Sequence, residues 1–198
     1  MLSYARGVDQ RKKLLEAAIT CLQQRGYART TTRDIVATAG AHLPAVNYYF
    51  GSKDHLLQEA VTESMRRWLD TTLQAAAGHQ GADPARRLRA GMGGYLASLP
   101  EHRPALLAAV EAYAQAGRSP ELGDHLGAAH RDATETIAQS MDDGEGLDER
   151  DRRGLAAVLL ALFDGLALQW LLAPDGVPDA DDVTRALALL GEALNEET

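Results

Sequence analysis

Three helix starts and two glycine stops are crowded into residues 26–57, GYARTTTRDIVATAGAHLPAVNYYFGSKDHLL, and that punctuation leaves little choice of local fold. Thr31 is placed to cap a helix, with Asp34 three positions on as the acidic partner of a capping box. The helix it opens carries Ile35, Val36 and Ala39 and stops at Gly40, which tolerates the left-handed backbone of a helix end. Leu43-Pro44 opens a second, short helix, because proline suits a first turn, and this one ends near Tyr49-Phe50 before Gly51. Ser52 caps a third helix that begins Lys53-Asp54. Two short helices joined tightly, with another leaving at once, are the layout of a DNA-reading helix-turn-helix.

On the helix over 43–49, Val46 and Phe50 lie one turn apart and point to a core shared with Ile35 and Ala39. Asn47, Tyr48 and Tyr49 cover the rest of the circumference. Burying two tyrosines and an asparagine without partners is costly, so at least two of the three face outward. Outward residues on a helix held against a duplex meet phosphates and base edges.

A net charge of −8 opposes such a reading until it is divided along the chain. Residues 1–57 hold eight basic side chains (Arg6, Arg11, Lys12, Lys13, Arg25, Arg29, Arg33, Lys53) against Asp9, Glu16, Asp34 and Asp54, leaving them at +4 and the remainder at −12. A basic end on an acidic body steers phosphate to one face and repels it from the other. The lone cysteine, Cys21, excludes an intramolecular disulfide framework and reads as an inert core thiol on the apolar face of the first helix. The start, MLSYARGVDQ, has no apolar export region, and a cytoplasmic location is expected.

The rest of the chain reads as helix throughout, punctuated at Asp83-Pro84, Leu99-Pro100-Glu101, Ser119-Pro120-Glu121, Gly144-Glu145-Gly146 and Pro174 to Pro178. The predicted helices cover 9–25, 32–39, 43–49, 53–78, 84–98, 102–116, 120–142, 148–173 and 179–195. The expected fold class is all-α. Residues 1–52 form a three-helix helix-turn-helix domain, and 53–198 hold the remaining helices. Gly91, Gly93 and Gly94 inside one helix each cost about 1 kcal/mol relative to alanine. They point to close helix approach, or to room for a ligand or a kink.

Between 155 and 173 the only strongly polar side chains are Asp164 and Gln169, a length of apolar sequence that could span a membrane. A central aspartate costs about 2.5–3.5 kcal/mol on insertion scales, and much of the run is weakly apolar alanine and glycine. The better reading is a helix sandwiched between its own core and a partner. The last helix repeats Val183, Ala186, Leu187, Leu190, Ala193 and Leu194 at spacings of three and four, opposite Asp182, Arg185 and Glu192. Two such helices per subunit predict a homodimer, with Leu155, Leu159, Leu162, Leu166, Trp170, Val183, Leu187, Leu190 and Leu194 at the interface and no membrane partner.

Over residues 9–57 the chain resembles the DNA-binding domain of the TetR family, the tetracycline-repressor-like bacterial transcriptional regulators. The features that carry the resemblance are the helix over 10–25 with Ala17-Ala18, then Gly26-Tyr27, Thr31 with Asp34-Ile35, Ala39-Gly40, Ala45-Val46 with Tyr48 and Phe50, Lys53 and Leu56-Leu57. His42 and Asn47 depart from the pattern, which more often has a small N-capping residue and a tyrosine there. The resemblance implies a dimeric repressor, released from a pseudo-palindromic double-stranded operator by a small-molecule effector. The expected DNA contacts are Arg29, Thr31, Thr32, Arg33, Leu43, Pro44, Ala45, Asn47, Tyr48, Tyr49 and Lys53. Thr31, Tyr48 and Lys53 anchor phosphates beside helix-terminal amides, and Asn47 is able to bond two edges of an adenine. The resemblance also makes 53–198 a helical bundle for ligand binding and dimerisation, with an effector site for which Met65, Trp68, Met92, Tyr95, Leu96, Leu106, Val110, Tyr113, Phe163 and Gln169 are the candidates. Their character suits a mostly apolar molecule.

Two other classes compete. An α-helical enzyme would draw on the six histidines, of which His125 and His130 flank one segment near Asp124 and Asp132. A spacing of five puts those two on different faces, and no catalytic triad spacing, phosphate-cradling loop or metal signature appears. No catalytic residue, metal or cofactor is therefore expected. A helical adaptor binding protein through 155–173 is the other alternative, separated by whether duplex DNA is bound in a salt-sensitive, sequence-dependent way.

Overall fold

The computed structural model describes residues 2–77, 83–141 and 146–195. Among them are eight α-helices, a short 3-10 turn and no strand: α1 (Leu2–Arg25), α2 (Thr32–Ala39), α3 (Pro44–Phe50), α4 (Lys53–Ala77), α5 (Pro84–Ala116), α6 (Pro120–Ser140), α7 (Glu149–Leu172), the turn Pro174–Gly176, and α8 (Ala180–Asn195). The chain is all-α, with an N-terminal helix-turn-helix followed by longer helices. The predicted helix ends at Gly78 and Asp142, and the stop at Gly144-Glu145, lie outside the described residues.

One predicted boundary is overturned. The break at Leu99-Pro100-Glu101 does not occur, and α5 runs unbroken from Pro84 to Ala116. A proline inside a helix removes one hydrogen bond and costs about 3 kcal/mol, but its fixed φ is itself helical. Leu99 just before it and Ala105 and Leu106 just after it are all buried, and that packing on both sides outweighs the local loss. The first helix also begins earlier than expected, at Leu2.

The helices divide into two compact units. One takes the residues up to 67 together with 103–131, the other 68–102 together with those from 132 onward, so α4, α5 and α6 contribute to both. The core of the first unit gathers Leu14, Ala18, Cys21 and Leu22 of α1, Ile35 of α2, Val46 and Phe50 of α3, Leu56 and Leu57 of α4, and Ala109, Ala112, Leu122 and Leu126. In the second, Ile137, Ala138 and Ala156 pack with Leu69, Leu73 and Leu159. There too α5 closes on α4, where a Cβ at Gly91 or Gly94 would lie 3.3 Å from Ala76 or Ala75. Close approach accounts for those two glycines.

Candidate nucleic-acid interface

The helix-turn-helix is built by local hydrogen bonds of the expected kind. The Thr31 amide donates to Asp34 Oδ2 at 3.0 Å and the Asp34 amide to Thr31 Oγ1 at 3.2 Å, closing the capping box at the start of α2. The Thr31 hydroxyl also donates to Asp34 Oδ2 at 2.6 Å. These bonds from the Thr31 hydroxyl and amide, with Arg25 nearby, hold the Asp34 carboxyl below its ordinary range. Gly40 ends α2 at φ 62°, as a left-handed helix end requires. Ser52 Oγ accepts from the His55 amide at 3.0 Å and caps α4.

The short α3 is seated by Val46 and Phe50, both buried, and presents its other residues outward. Asn47 is exposed and Tyr48 is 81% exposed. Tyr49 is half-buried against the core, its ring edge-on to Tyr48 with centroids 4.8 Å apart. Leu43 and Pro44 are exposed and Ala45 half-buried. The α3 start differs from expectation in one respect. Leu43 stands at the cap with helical backbone and no side-chain cap, Pro44 has no N–H, and the Ala45 and Val46 amides bond to His42 O (2.9 Å) and Leu43 O (3.3 Å). Few amides are left there for a phosphate.

Around it, Arg29, Thr31 and Arg33 are exposed and Thr32 is half-buried. Arg29 Nε donates to Arg25 O at 2.9 Å. Lys53 is half-buried, with its ammonium 3.5 Å from both Thr30 O and Asp54 Oδ1, so the start of α4 is tied to the residues leading into α2. Tyr27 is buried beneath this region, and burial, with the Asp54 charge adding, pushes its hydroxyl up to about 12.

Several contacts here have no signature in local sequence. The Arg11 guanidinium lies 4.7 Å from the Phe50 ring centre and bonds Glu59 at 2.6 Å, so this basic residue braces α3 against α4. Arg67 bridges Glu16 and Glu63, and its guanidinium lowers both carboxyls (in Glu63 after that of Arg66). His125 faces His55 and Thr62, whereas His130 faces Tyr113, so the two histidines five apart do diverge.

In the second unit, Trp68 is stacked between Tyr95 and His102, with centroids 4.8 Å apart on each side and planes within 15° and 8°. Its indole N–H donates to Ser98 Oγ at 2.7 Å, and the Tyr95 hydroxyl donates to Phe163 O at 2.8 Å. Trp68, Tyr95 and Phe163 are thus brought together, joined by His102 and Ser98, which sequence reasoning missed. Met92 is fully buried. Leu96 lines a cleft of about 520 Å³ with Gly93, Leu99, Trp170, Val177 and Asp179. Gln169 is exposed. Met65, Leu106, Val110 and Tyr113 belong instead to the first unit; Met65 is half-buried and Leu106 buried, while Val110 and Tyr113 are partly exposed.

The apolar helices α7 and α8 keep much of their leucine surface uncovered. Of the residues expected at a dimer interface, Leu155, Leu190 and Leu194 are exposed, and Leu159, Leu162, Trp170 and Leu187 are half-buried. Leu166 and Val183 are buried in their own unit and brace this surface from behind. Val158, Leu168, Leu172 and Leu189 are exposed as well and were not anticipated. Among the described residues, α7 is the one helix long and apolar enough to cross a membrane.

The sequence profile of bacterial regulatory proteins of the tetR family matches residues 14–60, and that of the BetI-type transcriptional repressor C-terminal region matches residues 84–197. The chain is 28% identical to the HTH-type transcriptional regulator TtgR of Pseudomonas putida, covering 89% of this chain and 87% of that protein. It is 26% identical to the HTH-type nicotine-responsive transcriptional repressor HdnoR of Paenarthrobacter nicotinovorans, covering 84% and 86%. Its fold matches the crystal structure of a TetR-family transcriptional regulator from Rhodococcus sp. with a TM-score of 0.69 at 22% identity, covering 94% of this chain and 98% of that one.

Proposed function

The chain belongs to the TetR family of bacterial transcriptional regulators, and from that premise we propose that it is a homodimeric repressor, released from a pseudo-palindromic operator by a small, mostly apolar molecule. The observation that carries the reading is the outer surface of α3. Asn47 and Tyr48 stand in solvent on a helix whose Val46 and Phe50 are anchored in the core. A rigid seat and a polar, aromatic outer face are what a recognition helix needs to enter a major groove.

In this reading the chain divides functionally at residue 52, into a reading domain over 1–52 and an effector and dimerisation domain over 53–198. Tyr48 and Lys53 anchor phosphates with Arg29, Thr31, Thr32 and Arg33 around them. Asn47 reads an adenine edge, and Leu43, Pro44 and Ala45 offer apolar contact to thymine methyls, with Tyr49 behind them. The uncovered leucines of α7 and α8 meet those of a second copy, an interface of a kind that buries about 2,000 Å² or more. Asp164 in the middle of α7 argues for that partner over lipid. Such a dimer sets two α3 helices about 34–36 Å or somewhat more apart, in successive major grooves. Binding to chromosomal operators puts the protein in the cytoplasm.

The aromatic stack around Trp68 and the cleft beside Leu96 support an effector site in the body, and a relative named for its response to nicotine is consistent with a compact ring compound. Release requires the effector to favour the non-binding state by about 1–3 kcal/mol or more. The helix that starts at Lys53, α4, is the lever in this scheme.

The test is selection of bound sequences from random duplexes, followed by gel shifts across a salt series. Lys53→Ala should weaken binding to every duplex and flatten the salt dependence by about 0.9 per lost phosphate contact in each half-site. An unchanged slope would remove Lys53 from the phosphate anchors, and failure to select any duplex would remove the reading itself.

A further inference from the structure

Glu111 lies on α5, far along the chain from the helix-turn-helix, yet its carboxylate reaches the turn between α1 and α2. Its Oε2 accepts from the Tyr27 amide at 2.7 Å and from the Ala28 amide at 3.2 Å. Successive amides directed at one oxygen form a small anion-binding concavity. Gly26 shapes it: its φ of +80° ends α1, and a Cβ there would lie 2.9 Å from Glu111 Oε1 and 3.3 Å from Oε2. The turn is closed around this carboxylate.

A negative charge is otherwise poorly placed here. It sits beside the C-terminus of α1, where partial negative charge already accumulates, and in the unit that must approach phosphates. What it gains is control of the next residues. Thr30, 1% exposed, donates its hydroxyl to Gly26 O at 2.7 Å, and its own carbonyl meets the Lys53 ammonium. Thr31 follows directly as the cap of α2.

We infer that Glu111 is a positioning residue for DNA reading: by holding the Tyr27 and Ala28 amides it sets the turn that orients α2 and Lys53 before the duplex arrives. The inference rests on the DNA-binding reading above. Losing a charge near a phosphate-facing surface strengthens DNA binding when the effect is electrostatic alone. Losing a positioning group weakens it. The two accounts differ in sign.

The experiment uses the full chain and the tightest duplex that the wild type selects from a random pool. Glu111→Ala should bind that duplex about ten-fold more weakly, as expected for lost hydrogen bonds to a charged group, with the salt slope unchanged because no phosphate contact is removed. Glu111→Asp keeps the charge but withdraws it by one methylene, and should show the same loss. Glu111→Gln keeps an acceptor at the original reach and should bind at least as tightly as the wild type. Without DNA, hydrogen exchange at the Tyr27 and Ala28 amides should speed up by a similar factor in the Ala and Asp variants and stay slow in the Gln variant. Circular dichroism establishes that each variant is folded, and the Asp variant carries the test should the Ala variant fail to fold. Binding by Glu111→Ala equal to or tighter than wild type, or unchanged exchange at both amides, would overturn the inference. A wild type that selects no duplex takes down the DNA-binding reading along with it, and that result is told apart because it precedes any substitution.

Discussion

Val46 and Leu172 both belong to apolar stripes at helical spacing, yet Val46 is fully buried on α3 and Leu172 is 79% exposed at the end of α7. The contrast extends to their surroundings. In the first unit Ile35, Val46, Leu56 and Leu57 are completely enclosed, while on α7 and α8 Val158, Leu189, Leu190 and Leu194 all remain more than half exposed. The helix-turn-helix closes its core residues in, whereas α7 and α8 leave a row of leucines that the described residues do not cover. Periodicity announces that a face is apolar. It is silent on whether the cover comes from the same chain or from a second one.

Substitutions on the two stripes should therefore fail in different ways. Leu168→Glu combined with Leu172→Glu should leave the subunit folded but separate the proposed dimer in sedimentation, and cost about 10²–10⁴-fold in operator affinity as the two half-sites lose their linkage. If the double variant remained dimeric, the assignment of the exposed leucines to a second copy would be wrong. Ile35→Ala acts on the closed unit and should lower its unfolding free energy by about 2–5 kcal/mol in denaturant melts, without changing the salt slope of DNA binding. A smaller loss would mean that the reading unit is less tightly packed than its burial indicates.

Finer changes sharpen the same contrast inside the reading unit. Asn47→Ala should leave stability untouched and cost about 1–3 kcal/mol at particular base pairs, seen as relaxed preference at those positions in duplex selection. Thr31→Ala removes the α2 cap and should cost about 1 kcal/mol at neutral pH. It also bears on acid stability. Because the folded Asp34 carboxyl is held below its unfolded value, its contribution is present above pH 4 or so and is lost as pH falls through the depressed value. Thr31→Ala should therefore show a shallower decline between about pH 5 and pH 2 than the wild type, and an identical decline would count against the capping box as its source.

The local architecture was readable because its determinants are near neighbours. Thr31 with Asp34, Gly40, Pro44, Gly51 and Ser52 act within a few residues of themselves, and each stands where the punctuation indicated. The continuation of α5 through Pro100 was not readable, because what offsets the proline is the burial of Leu99 and Leu106, a property of the packed chain. The candidate DNA surface was legible down to the exposure of Asn47 and Tyr48. The bonding-out of the α3 amides was not, since it depends on the backbone at His42 and Leu43. Among the body candidates, methionine and aromatic side chains at helical spacing look alike in sequence, whether they join the Trp68 stack, as Tyr95 does, or pack elsewhere, as Met65 does.

Composition and spacing alone determined an all-helical chain with a basic, capped helix-turn-helix at one end and an acidic, leucine-rich remainder, because caps, periodicity and charge are additive over short windows. Tertiary structure decided which distant residues meet. The Glu111 carboxylate on the Tyr27 and Ala28 amides, Arg11 over Phe50, and His102 on Trp68 each join residues at least thirty positions apart. Contacts of that range depend on how whole helices pack, and no short stretch of sequence encodes that on its own.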